Sequence, residues 1–324
     1  MRTDVVLAVD DLKTYFFTRK GVVKAVENVS FSLKRGEIMG LVGESGAGKS
    51  ITGFSILGLI DEPGKIVDGK VFFLGEDLRK KSKKELEAIR GNRISMVFQD
   101  PQTSLDPVFT IGYQIIEALK THQQMSKREC HQRVVELLQA VGIPSPEERM
   151  KDYPHQFSGG MRQRVTIAIA MASNPDLIIA DEPSTALDVT IQAQVLMLMR
   201  NLVRKKKTSM MLITHDIALV GQLCDSICVM YAGKIIEKGT TKQIIRFPYH
   251  PYTKGLINSI PGAQNRGHRL QQIPGMMPNL VDLPEGCPFL PRCDFFSEDC
   301  HQEEGLIEVE PGHYSACNQG GAIS

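Results

Sequence analysis

Short apolar runs separated by charged turns open the chain. Val5-Val6-Leu7-Ala8-Val9 and Val29-Ser30-Phe31-Ser32-Leu33 lie on either side of Arg19-Lys20-Gly21, a pattern that predicts an antiparallel sheet. Ile38-Met39-Gly40-Leu41-Val42 is apolar without alternation, as a strand buried on both faces must be. It leads into a glycine-rich loop and a helical segment from Ser50 to Leu59. Leu177-Ile178-Ile179-Ala180 and Met210-Met211-Leu212-Ile213 repeat the buried-strand signature, each ending in polar residues. Strands of this kind predict an α/β core with its site along the carboxyl edge. Between about Asp100 and Asn174 the period lengthens: Ile111, Ile115, Ile116 and Leu119, then Val134, Leu137, Leu138 and Val141, keep helix spacing and predict a helical insertion. Val229 to Ile236 reads as a hairpin, after which prolines accumulate from Pro248 to Pro311. A domain boundary is therefore expected near 240, with a loop-rich appendage over 241–324.

Composition narrows the function classes. The 324 residues are 42% hydrophobic and 23% charged, enough to bury a substantial core. Lys and Arg total 38 against 37 Asp and Glu, a net charge of +1, so no global field draws the chain onto nucleic acid or an anionic membrane. No stretch approaches the roughly 18 to 20 apolar residues of a membrane span, and Asp10 and Asp11 break the first apolar run. A protein neither secreted nor membrane-spanning is expected, and its seven cysteines then argue against a disulfide framework.

Three polar segments carry the chemistry. Gly43-Glu44-Ser45-Gly46-Ala47-Gly48-Lys49-Ser50 matches the phosphate-loop pattern between a buried strand and a helix. Its backbone N–H groups can curl around phosphate oxygens, Lys49 can reach the β- and γ-phosphates of a nucleotide, and Ser50 offers Mg²⁺ a hydroxyl. Asp181 and Glu182 end the Leu177 strand, where the first can hold Mg²⁺ through its water shell and the second can take a proton from an attacking water. Ser158-Gly159-Gly160-Met161 opens a further helix and forms a second anion-binding N-terminus. Two such sites in one chain suggest a site completed by another chain.

The order of these pieces over residues 1–240 resembles the ATP-binding-cassette family, the ATPase subunits of transporters. The resemblance implies a P-loop NTPase with a RecA-like core, an antiparallel β subdomain and a helical subdomain at about 100–174, binding ATP from Gly43 to Ile51. It makes Gln99 the residue that senses Mg²⁺ and the attacking water, so that Ser50, Gln99 and Asp181 serve the metal. Ser158 to Met161 matches the family signature, with Phe157 and Met161 departing from its commonest form. Ser184-Thr185-Ala186-Leu187-Asp188 matches the loop that links the two sites of a dimer. His215 matches the histidine that contacts the γ-phosphate and orients the catalytic Glu182. For the aromatic that stacks on adenine, strand alternation from Leu12 favours Phe16, with Tyr15 second.

Gly43-Glu44-Ser45-Gly46, Phe98 to Pro107, Tyr153-Pro154-His155-Gln156, Ala186 to Gln194 and His250-Pro251-Tyr252-Thr253 are similar to the dipeptide and oligopeptide importer ATPases. That branch implies two transmembrane permease subunits, a second ATPase subunit and an extracytoplasmic peptide-binding protein, with no nucleic acid, and a peripheral place on the cytoplasmic face of the inner membrane. Cys287, Cys293, Cys300 and Cys317 are separated by five, six and sixteen residues, which suits a tetrahedral Zn²⁺ or a [4Fe–4S] cluster; the wider spacing favours the cluster. They are also similar to the cysteine group that this branch associates with an iron–sulfur cluster. His301 and His313 are substitute zinc ligands or surface residues, and Cys130, Cys224 and Cys228 read as buried free thiols. A non-transport cassette ATPase, of the iron–sulfur assembly type or acting on DNA, and an ATP-switched docking module are the rival readings. Roughly 75 residues of short helices cannot form the long heptad arms of DNA-acting relatives.

Overall fold

The structure is a computed structural model and describes residues 4–184, 187–260, 273–301 and 305–317. Its strands are β1 (Val5–Thr18), β2 (Gly21–Lys34), β3 (Ile38–Val42), β4 (Gly64–Phe73), β5 (Glu76–Asp77), β6 (Ile94–Val97), β7 (Leu177–Asp181), β8 (Ser209–Thr214), β9 (Ser226–Tyr231), β10 (Lys234–Thr240), β11 (Ile307–Glu310) and β12 (His313–Ser315). The chain divides into two compact units, Met1–Val6, Leu33–Ile38 and Lys80–Leu212 in the first, and Leu7–Ser32, Met39–Arg79 and Ile213–Ser324 in the second. Among the described residues no helix is long and apolar enough to cross a membrane.

In the first unit β6 runs parallel to β7, Ile94 opposite Leu177 and Val97 opposite Ala180, and β8 follows β7 in the strand order. Every residue of β7 is buried, as its unbroken apolar run requires. Asp176, one residue upstream, anchors that strand by accepting from Arg93 Nε at 2.8 Å and Arg35 Nη1 at 3.4 Å. The helical period of the insertion is realised in Ile111–His122, capped by Thr110, and Lys127–Ala140, capped by Ser126. Ser126 accepts from the Glu129 N–H while the Glu129 carboxylate accepts from the Ser126 N–H, so two otherwise unpaired amides at the helix start are satisfied.

The second unit holds the antiparallel pairs β1–β4 and β4–β5 in a sheet of order β2-β1-β4-β5. β4 was not foreseen, because Asp68-Gly69 interrupts its apolar pattern. β3 runs parallel to β9, which turns through Ala232 (φ 46°) and Gly233 (φ 84°) into antiparallel β10, the hairpin expected from sequence. β12 then pairs with β10 and β11 with β12, so the last described residues add strands to the sheet that carries the phosphate loop.

Candidate active site

The phosphate loop follows β3, and its glycines answer to close approach as well as to dihedral angle. A Cβ on Gly43 would lie 2.1 Å from the Met230 carbonyl oxygen, and one on Gly48, whose φ is 101°, would lie 2.2 Å from that of Ala25. No other residue fits either place. The helix runs Lys49–Leu57, one residue earlier at its start and two shorter at its end than the sequence suggests, because Gly58 (φ 63°) caps it by donating to Phe54 and Ser55 carbonyls. Lys49 is buried, and its Nζ donates to the Gly43 and Glu44 carbonyl oxygens at 2.8 and 2.9 Å. Ser45 and Gly46 are exposed at the loop crest, Ala47 is buried, and Ser50 and Ile51 are half-buried.

On the first unit, Asp181 is the buried last residue of β7 and Glu182 follows it with φ 43°, a left-handed conformation that costs a residue with a Cβ free energy. That turn aims the Glu182 carboxylate at Gln99, whose Nε2 donates to Oε2 at 3.1 Å. Gln99 thereby commits its N–H₂ to that carboxylate, and its side-chain carbonyl oxygen can accept from water or bind a cation. The Ser158 Oγ accepts from the Met161 N–H at 3.4 Å and caps the helix Gly159–Ala170, with Ser158 exposed and Gly159, Gly160 and Met161 half-buried. Phe157, the first departure from the signature, is a buried packing residue, so it leaves the polar turn unaltered. Of the dimer-linking loop, Ser184 is buried and donates its N–H to the Glu182 carbonyl at 2.7 Å; Thr185 and Ala186 lie outside the described residues.

His215 is exposed after β8, and the following Asp216 caps the helix Ile217–Leu223. Phe16 packs over Gly64, its partner across β1 and β4. Tyr15 is engaged elsewhere: its hydroxyl donates to Glu27 Oε2 at 2.7 Å, and burial together with that carboxylate pushes its pKa up to about 12.

A model of the ABC transporter family matches residues 26–185, and one of the C-terminal region of oligopeptide/dipeptide transporters matches 236–300. The oligopeptide transport ATP-binding protein AppD of Bacillus subtilis is 51% identical over 96% of this chain and 95% of its own. The dipeptide transport ATP-binding protein DppD of Escherichia coli is 46% identical over 96% of each. The chain belongs to the ATP-binding proteins of ABC transporters. A dimeric ATP-binding cassette solved with ADP and phosphate in a post-hydrolysis state superposes on this cassette with a TM-score of 0.65, 27% identity, and coverage of 72% of this chain and 98% of that one. The fold is thus the ABC ATPase cassette, a P-loop NTPase with mixed α/β sheets.

Beyond β10 the extension is fastened to the cassette by polar contacts that sequence reading missed. Glu44 of the phosphate loop accepts a fork from Arg292, Nη1 to Oε2 at 2.8 Å and Nη2 to Oε1 at 3.1 Å, and donates its N–H to Tyr252 Oη at 2.9 Å. Farther along, the fully buried Glu237 accepts from the Tyr249 and His250 N–H groups at 2.7 and 2.9 Å and pairs with His313 Nε2 at 2.7 Å. His313, grouped by sequence with surface residues or zinc ligands, is instead a buried partner of that carboxylate; His301 is exposed.

Cys130, Cys224 and Cys228 are buried thiols outside any disulfide, while Cys287, Cys293, Cys300 and Cys317 are half-buried. The Cys287 N–H donates to the Cys300 carbonyl at 3.0 Å, joining two arms of the cysteine loop. Burial pushes the Cys287 thiol up to about 11; a backbone hydrogen bond from Phe289 opposes this, and charge on Cys317, Cys293 and Cys300 adds to it. Burial likewise raises the Cys293 thiol. Among the described residues, no three His, Cys, Asp or Glu side chains converge to hold a single metal ion.

Proposed function

We propose that this chain energises uptake of dipeptides or oligopeptides as the ATP-hydrolysing subunit of an importer, paired with a second ATPase beneath two permeases and supplied by an external peptide-binding protein. It acts from the cytoplasmic face of the inner membrane, held there by those partners. The observation that carries the catalytic reading is the hydrogen bond from Gln99 to Glu182, made on a left-handed backbone turn that has a conformational cost.

The loop amides and Lys49 bind the nucleotide phosphates, and Phe16 lies against the adenine. Ser158 to Met161 meets the γ-phosphate held by the partner chain. By the family resemblance Ser50, Gln99 and Asp181 would hold Mg²⁺, each having an oxygen donor of the kind that ion takes, and the ion when bound would neutralise charge on the β- and γ-phosphates. Glu182 accepts a proton from the water whose oxygen bonds to the γ-phosphorus as the bond to the β-bridging oxygen breaks, and His215 orients Glu182. ADP and phosphate no longer bridge the chains, which separate. For the permeases, the helical insertion offers Val108, Phe109, Tyr113 and Tyr153, all exposed, with Phe109 and Tyr113 stacked at 4.6 Å. Glu182→Gln should lower steady-state turnover about 10²-fold or more in the assembled transporter while ATP binding persists. Unaltered turnover would remove Glu182 from the role of base.

The four extension cysteines are read as ligands of a [4Fe–4S] cluster. Supporting this are the half-buried state of all four thiols and the Cys287 N–H to Cys300 carbonyl hydrogen bond that joins two arms of their loop, together with sequence spacings wider than those usual for structural zinc. Anaerobic purification should give about four irons per chain with a broad visible absorption band. Stoichiometric zinc, or metal-free thiols, would overturn this assignment.

A further inference from the structure

Glu44 is fixed at three points. Its carboxylate takes the Arg292 fork, its N–H is used by Tyr252 Oη, and its carbonyl oxygen receives Lys49 Nζ at 2.9 Å. Two of these three restraints come from the C-terminal extension, and the third is the phosphate-binding lysine itself. Whatever moves Glu44 therefore moves a carbonyl to which Lys49 is bound.

Arg292 is well placed to impose a position on the loop. Its side chain is only 5% exposed, its Nε donates to the Pro274 carbonyl at 2.7 Å, and its guanidinium lies 5.8 Å from the centres of both the Tyr231 and Phe289 rings. Those rings and Tyr252 pack on one another, with centroids 4.6 to 5.4 Å apart, and all three are buried. A guanidinium that also donates to Tyr231 Oη at 3.3 Å and to a backbone carbonyl has few alternative rotamers, so its bidentate grip transmits direction as well as charge. The turn that presents it runs between two cysteines: Leu290 N–H donates to Cys287 O, Arg292 N–H to Phe289 O and Cys293 N–H to Leu290 O.

We propose that Arg292 and Tyr252 are positioning residues for the nucleotide, holding Glu44 so that Lys49 and the phosphate loop stand ready for ATP, and that the extension thereby sets ATP affinity. The proposal rests on the reading of Gly43 to Ser50 as the ATP site. It differs from simple docking of the extension because it requires a change in nucleotide affinity that a packing role does not.

The test is titration of the full chain with a fluorescent ATP analogue and Mg²⁺, alongside steady-state kinetics of the assembled transporter. Arg292→Ala and Glu44→Gln should each weaken binding about tenfold, Tyr252→Phe about threefold, and Arg292→Lys by an intermediate factor, since it keeps the charge and loses the fork. KM for ATP should rise more than kcat falls. If Arg292→Ala unfolds the chain, Glu44→Gln and Tyr252→Phe carry the test. The double variant Arg292→Ala with Glu44→Gln should bind no worse than the weaker single variant, because both remove one interaction. Affinities within twofold of the parent in the folded single variants, or fully additive losses, overturn the proposal. Absence of ATP binding in the parent chain would instead sink the ATP-site reading.

Discussion

Glu237→Ala removes the acceptor for three donors at once: the half-buried Tyr249 N–H and the buried His250 N–H and His313 Nε2. Glu237 and His313 are 0% and 1% exposed, so water does not readily replace the carboxylate. An unsatisfied buried donor costs about 1–3 kcal/mol, and partial collapse or a trapped water returns some of it. A loss of about 3–5 kcal/mol is expected. Glu237→Gln keeps one oxygen but points an N–H₂ at a donor where Oε1 or Oε2 stood, so about 1–3 kcal/mol is expected there. The assay is chemical denaturation of the full chain, followed both by far-ultraviolet circular dichroism and by proteolysis of the extension, with parent and variants in one buffer. The extension should become protease-sensitive at denaturant concentrations that leave the parent intact. If Glu237→Ala lies within 0.5 kcal/mol of the parent, or Glu237→Gln is the worse of the two, the carboxylate is not the anchor described.

Gly43→Ala places a methyl group 2.1 Å from the Met230 carbonyl oxygen, so the phosphate loop must shift; ATP affinity should fall more than tenfold in a direct binding assay. Burial pushes the His250 pKa down to about 4, opposed by the Glu237 carboxylate. The unfolded chain takes that proton near pH 6.5, so between about 6.5 and 4 the unfolded state binds more protons and stability falls as pH falls. This group's contribution should be constant above about pH 6.5 and decline by about 3 kcal/mol in total by pH 4. Denaturation midpoints across that range should decline less steeply in His250→Asn than in the parent.

Local pattern made much of this molecule legible. The buried strands β3, β7 and β8, the helices that bury Ile111, Ile115 and Leu119 or Val134, Leu137 and Leu138, and the β9–β10 hairpin are each specified by residues within one element. The phosphate loop and the Asp181-Glu182 strand end are likewise short motifs whose chemistry is contained in adjacent residues. What escaped depends on distance along the chain. Glu44 and Arg292 are 248 residues apart, and Glu237 and His313 are 76 apart. Neither pairing has a local signal: Glu44 reads as part of the nucleotide-binding loop, with nothing to name its distant partner, and Arg292 as a charge between a proline and a cysteine. The first pair meets beside the packed rings of Tyr231, Tyr252 and Phe289, and the second across the pairing of β10 with β12.

The polar contacts of the extension form a continuous route to the phosphate loop, and this makes its coupling to ATP testable from the opposite side. Glu237 holds the His250 N–H; His250 Nδ1 accepts from the Tyr252 N–H at 3.1 Å; Tyr252 Oη accepts from Glu44, and Glu44 accepts from Lys49. Coupling between two sites is one free energy shared by both, so a restraint that improves ATP binding must itself be strengthened by ATP to the same factor. Amide hydrogen exchange in the helix Pro251–Asn258 should therefore slow by about tenfold in saturating ATP, matching the affinity expected to be lost in Arg292→Ala. In Arg292→Ala that extra protection should disappear while exchange in β7, on the other unit, is unaltered. Equal exchange in the Pro251–Asn258 helix with and without ATP in the parent chain would mean that the extension merely rests against the loop.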